Sequence, residues 1–89
     1  MKFKIIYAKA FKKAFKKLDS LDKEKVSKIL TRLANDENLE PKYNDHALSG
    51  NLKGCRDCHI KPDLVLIYAK NKEVLELIAL DLGSHSDLF

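Results

Sequence analysis

A chain of 89 residues can close one hydrophobic core and not two, because at this length only about 60–65% of the unfolded surface can be buried. Hydrophobic residues make up 45% and aromatic residues 8%, with no tryptophan, which excludes a disordered chain; no apolar run approaches the roughly 20 residues of a membrane span. Seventeen Lys and Arg against thirteen Asp and Glu give a net charge of +4 and point to a polyanion as partner, not to a cation. One domain over residues 1–89 is therefore expected.

Lys2 to Tyr7 alternates, with Phe3, Ile5 and Tyr7 on one side and Lys2 and Lys4 on the other, the period of a half-buried strand. From Ala8 the period becomes helical. Phe11, Ala14, Phe15 and Leu18 share a face, and Lys9, Lys12, Lys13, Lys16 and Lys17 fill the other. Residues 1–18 hold seven lysines and no acid, a block that would draw in a polyanion, although a plain solvated helix face would look the same. This opening has no apolar segment followed by a small-residue cleavage site, so the cytoplasm is the expected location.

Asp19 and Ser20 are cap residues for a second helix with Val26, Ile29, Leu30 and Leu33 at spacings of three and four. The two helices read as a hairpin. Asn35 to Asn44 is polar, contains Pro41 and has no period, so it should cross the surface. Leu52 to Ile60, Leu64 to Ala69 and Val74 to Leu82 then read as strands, broken at Pro62 and at Lys70-Asn71-Lys72-Glu73. The order predicts an α+β fold: an N-terminal strand, a helical hairpin and a three-stranded antiparallel meander in one sheet.

His46, His59 and His85, with Asp45, Asp63 and Asp81, all stand at the ends of these elements. If Lys53 to Lys61 is extended, Lys53, Cys55, Asp57, His59 and Lys61 share a face, with His59 between two lysines. The same parity groups Asp81, Gly83 and His85, though extension fails past Gly83. Metal-free RNA cleavage needs a base for the 2′-hydroxyl, an acid for the leaving 5′-oxygen and cations for the phosphorane. Imidazole suits both proton transfers, each contributing on the order of 10²–10⁴. The plainer reading of scattered histidines is surface residues or satisfied polar tips.

Cys55-Arg56-Asp57-Cys58-His59 spells C-x-x-C-H, the pattern of covalent haem attachment. That chemistry belongs to exported proteins, and in a strand the two sulfurs would point to opposite faces. Cys55, Cys58, His59 and His46 could be enlisted for zinc, but no second ligand pair accompanies them. Two reduced cysteines, with Cys58 a small core hydrophobe, is the preferred reading; no metal and no cofactor are expected.

Asp45-His46-Ala47-Leu48-Ser49-Gly50, Arg56-Asp57-Cys58-His59-Ile60-Lys61-Pro62-Asp63, Leu66-Ile67-Tyr68 and Gly83-Ser84-His85-Ser86-Asp87-Leu88-Phe89 together resemble the YafQ-type toxins of the RelE superfamily. The resemblance implies a compact toxin with a helical hairpin on an antiparallel sheet, which enters the ribosomal A site, cuts messenger RNA and is silenced by a cognate antitoxin. It implies promoter DNA as a partner only through the toxin–antitoxin complex. It assigns His46, His59, Asp63 and His85 to the acid–base set and Phe89 to positioning or stacking on the base. Lys53, Lys61, Arg56 and position 81 are the candidate contacts to RNA. Within the set, the expectation is His59 or Asp63 at the 2′-hydroxyl, His85 at the leaving oxygen and His46 at the phosphate.

Two departures stand out. Family members usually carry arginine where this chain has Asp81, and close relatives can carry tryptophan where it has Leu64. A carboxylate about 4 Å from the reacting phosphate would repel it by roughly 1–4 kcal/mol, unless it pairs with His85 and favours the imidazolium. Asp81 therefore keeps open a degenerate toxin that binds antitoxin but cleaves poorly. A basic RNA-binding domain without chemistry is a third reading; it would have no use for the histidines.

Overall fold

The computed structural model describes residues 1–89. Eight elements follow in order: β1 (Lys4–Tyr7), α1 (Lys9–Lys16), α2 (Ser20–Ala34), β2 (His46–Ala47), β3 (Arg56–Lys61), β4 (Leu64–Asn71), β5 (Glu76–Gly83) and α3 (His85–Leu88). The five strands form one sheet in the order β1-β5-β4-β3-β2. β1 runs parallel to β5 and every other neighbour is antiparallel. The expected α+β fold with helical hairpin and meander is present, with one strand more than expected, because the two-residue β2 is too short to show a period.

The helical hairpin forms where the sequence changes period. Asp19 caps α2 by accepting from the Asp22 N–H at 2.8 Å, which satisfies one of the donors a helix start leaves free. Phe11 from α1 and Val26, Ile29, Leu30, Leu33 and Ala34 from α2 pack on Phe3 and on one face of the sheet. That face offers Cys58 and Ile60 from β3, Leu64, Leu66 and Tyr68 from β4, and Leu77, Ala79 and Leu82 from β5. Burying one such aliphatic or aromatic side chain is worth about 1.5–3 kcal/mol, so this layer supplies most of the drive to fold. No helix is long and apolar enough to cross a membrane.

Cys58 is 0% exposed in this core, and burial pushes its thiol up to about 12, as befits a small hydrophobe. Cys55 is free and half-buried just before β3.

The second strand begins later than expected. Leu52 lies in a 3₁₀ turn (Gly50–Leu52), and Gly50 and Gly54 take φ of +64° and +94°. Two glycines in the left-handed region turn the chain and prevent extension before Arg56. Lys53 and Cys55 therefore do not belong to the strand face carrying His59. A register shift between His59 and Lys61 disturbs the alternation again, and Lys61 pairs with Asp22 of α2 at 3.0 Å. Lys53 is thus displaced from the face of His59, whereas Lys61, though turned toward α2, still lines one cavity with His59.

Candidate active site

Since the helices cover one face of the sheet, the strand residues between the core positions point to the other. Cross-strand pairing aligns them in two rows. One row runs His46, Asp57, Ile67, Asp81 across β2 to β5; the next runs His59, Val65, Gly83. Directly opposed side chains in such rows have Cβ atoms about 4.5–5.5 Å apart, so polar groups far apart in sequence become neighbours. A second shift, between Ile67 and Tyr68 on β4, lets Leu80 stand as an extra residue in β5, and Asp81 and Leu82 keep opposite faces. Val65 and Ile67 are buried here but lie outside the helix-covered core, and they form an apolar floor.

α3 closes one end of this face. Ser84 caps it by accepting from the Asp87 N–H at 3.2 Å. A Cβ built on Gly83 would lie 3.5 Å from Asp87 Cβ and 3.6 Å from Leu88 Cδ2, so the helix folds back over the side of β5 that carries the second row. His85 and Phe89 then lie one helical turn apart, with ring centroids at 4.7 Å and planes tilted by 37°. Phe89 remains half exposed.

His46 has the best-defined surroundings. Its Nδ1 lies 2.7 Å from the Asn44 carbonyl oxygen and 3.1 Å from Asp57 Oδ1. One N–H cannot align with both. The carbonyl takes the hydrogen bond, and Asp57 Oδ1 is buried beside the ring with no hydrogen-bond partner. A carbonyl can only accept, so Nδ1 must carry a proton, and in the neutral ring the free lone pair is left on Nε2. Asp57 is the one charged residue in the buried set, at 2% exposure. Such a buried carboxylate is costly unless it is paired, and the His46 ring is the group within reach.

Asp63 lies exposed in the two-residue turn between β3 and β4, and no hydrogen bond or ion pair joins it to a histidine. The Asp81 carboxylate accepts from the Leu82 backbone N–H at 2.8 Å and makes no ion pair with His85. Arg56 gives its Nε to Asp45 at 3.2 Å. Lys53 is exposed at the end of the Gly50–Leu52 turn. Strand pairing thus puts His46, His59 and Asp81 in adjacent rows with His85 and Phe89 on α3 beside them, while His59 also shares a cavity with Lys61, Lys25, Lys28 and Lys42, and Asp63, Lys53 and Arg56 stand at the margins.

Asp57 is the residue that sequence reasoning placed on the right face without giving it a task. Its signal was a carboxylate inside a strand whose neighbours, Cys58 and Ile60, are apolar. No three His, Cys, Asp or Glu side chains converge closely enough to hold a metal ion.

The family described as bacterial toxin of type II toxin–antitoxin system, YafQ, matches residues 3–89. An Escherichia coli K12 protein named mRNA interferase toxin YafQ is 37% identical over 84 residues, which cover 93% of this chain and 87% of that protein. Among solved structures, a copper-bound toxin variant from Helicobacter pylori superposes with a TM-score of 0.88 at 43% identity, covering 98% of this chain and 99% of the other. The toxin of the Escherichia coli DinJ–YafQ toxin–antitoxin complex superposes with a TM-score of 0.80 at 32% identity, covering 100% and 99%.

Proposed function

Because the chain belongs to the YafQ family of bacterial type II toxins, we propose that it is a metal-independent endoribonuclease that cleaves messenger RNA in the ribosomal A site and is neutralised by a cognate antitoxin. The observation that carries this reading is the assembly of three histidines, 39 positions apart from first to last, beside one exposed phenylalanine at the open face of the sheet. An mRNA interferase among the relatives and a toxin–antitoxin complex among the neighbours support the substrate and the partner.

The reaction needs two proton transfers. A base, His59 or Asp63, takes the 2′-hydroxyl proton; the oxygen attacks the adjacent phosphorus; the P–O5′ bond breaks, and His85 protonates the leaving 5′-oxygen. The products are a 2′,3′-cyclic phosphate and a 5′-hydroxyl, with no net gain or loss of protons. His46, with Nδ1 committed to Asn44 and Asp57 beneath it, presents Nε2 to a phosphate oxygen. Phe89 stacks on the base. Lys53 and Arg56 at the margins, with Lys61, steer the polyanion toward the face. The antitoxin complex, not the toxin alone, meets promoter DNA.

The test is cleavage of a defined messenger by the purified protein in EDTA, comparing the parent with His59→Ala and His85→Ala, and separately with ribosomes in magnesium. Cleavage that survives EDTA and falls by several orders of magnitude in the variants supports the assignment. Losses of only a few fold reject proton transfer by those side chains. A second reading, a toxin that binds its antitoxin but cleaves poorly, is favoured by one observation: Asp57 and Asp81 put two carboxylates in the same row of the site. A folded protein that binds antitoxin and cleaves nothing under either condition establishes that reading.

A further inference from the structure

β2 is only two residues long, yet it carries one of the three histidines. So short a strand cannot hold its own register, since it has few ladder hydrogen bonds to lose. Strand alternation sends His46 to the site face and its neighbours Asp45 and Ala47 to the helix-covered face. Asp45 Oδ1 there accepts from the Tyr68 hydroxyl at 2.6 Å and from Arg56 Nε at 3.2 Å. Tyr68 is 1% exposed and belongs to the core, and Arg56 is the first residue of β3. One carboxylate thus ties the start of β2 to its neighbour β3, through Arg56, and to β4 beyond it, through Tyr68, from behind.

The three groups are matched. Burial, and after it the Asp45 carboxylate, pushes the Tyr68 hydroxyl above its ordinary range, so it stays a donor at any physiological pH. Burial works against the charge on Arg56, but Tyr68 and Asp45 outweigh it and hold the guanidinium charged. On the far side of the backbone, Asn44 adopts a left-handed conformation at φ +47°, which turns its carbonyl toward His46 Nδ1. The ring is fixed from in front by Asn44 and the strand is fixed from behind by Asp45.

We infer that Asp45, held by Tyr68 and Arg56, is a positioning residue that sets the register of β2 and so the placement of the His46 ring over Asp57. This rests on the reading of His46 as part of the RNA-cleaving set. A shift of about 1 Å in a reacting group can cost roughly a hundredfold in rate, which sets the scale of the effect.

The experiment is a cycle of Asp45→Ala, Tyr68→Phe and His46→Ala, read by single-turnover RNA cleavage and by the imidazole NMR signals of His46, with circular dichroism to confirm folding. Asp45→Ala and Tyr68→Phe should each lower kcat by about tenfold to a hundredfold with KM little changed. Neither should lower it further in a His46→Ala background. Asp45→Asn, which still accepts from the Tyr68 hydroxyl, should recover much of the activity. Losses that multiply with that of His46→Ala, or His46 signals that stay sharp and unshifted in Asp45→Ala, overturn the inference. If His46→Ala itself cleaves normally, the role of His46 fails; a His46 ring that broadens or shifts in Asp45→Ala still upholds the positioning. Should Asp45→Ala fail to fold, Tyr68→Phe and Asp45→Asn decide.

Discussion

The contact between His46 and Asp57 makes a quantitative prediction. Nδ1 and Oδ1 stand 3.1 Å apart, with the side chains 45% and 3% exposed. Two unit charges at that distance attract by about 5 kcal/mol at an effective dielectric near 20 and by about 1 kcal/mol in water. The half-open imidazole keeps the interaction toward the weaker end, at about 1–2 kcal/mol. A double-mutant cycle of His46→Ala and Asp57→Ala, measured by urea unfolding, isolates that figure. His46→Ala alone should cost more than the coupling, because it leaves the buried Asp57 carboxylate without its neighbour. A coupling under about 0.5 kcal/mol would refute the charge-pair account of this site.

Native protein should expose one reactive thiol and denatured protein two, as counted with a chromogenic disulfide at pH 8, because Cys58 is buried and its thiol is pushed up to about 12. For the same reason stability should fall as pH rises from about 8.5 toward 12, where only the unfolded chain can ionise Cys58; Cys58→Ala should remove that slope. Hydrogen bonds from Lys2 and then Lys70 hold Asp36 down at about 2. Its stabilisation is therefore full above about pH 4 and lost as pH falls toward 2, and acid unfolding of Asp36→Asn should show a shallower loss in that window. Asp81→Arg should increase RNA cleavage; a variant slower than the parent would give Asp81 a positive role. Leu66→Ala, at a position with 0% exposure, should cost about 2–5 kcal/mol in urea unfolding without moving the site residues.

The sequence was most readable where one period ran for two turns or more. Phe11, Val26, Ile29, Leu30 and Leu33 stand where helical spacing placed them, and the Asp19 cap does what its type suggests. Readability failed where local backbone chemistry overrides period. Gly50 and Gly54 interrupt a stretch that composition alone would extend, and the shift after His59 turns Lys61 toward α2. Of the candidate site, the resemblance pointed to the three histidines and Phe89, and strand alternation put Asp57 on the face of His59. Its burial beneath His46 depends on β2, whose two residues carry no pattern. Asp45 and Tyr68 lie 23 positions apart, and nothing local announces that a hydroxyl and a carboxylate will meet. Yet an Asp-His dipeptide in an extended segment does signal two side chains sent to opposite faces.

The parallel pairing of β1 with β5 bears on how such a molecule comes into being. Lys4 has no strand partner until Glu76 has been synthesised, and β1 is the edge against which the sheet is completed. A growing chain can form its helical hairpin early but must hold its first strand unpaired through nearly all of elongation. Pairings so distant in sequence are the slow ones to form. The sheet can therefore be completed at this edge only after β5 has formed, and the β1–β5 pairing is expected to be the last part of the fold to close.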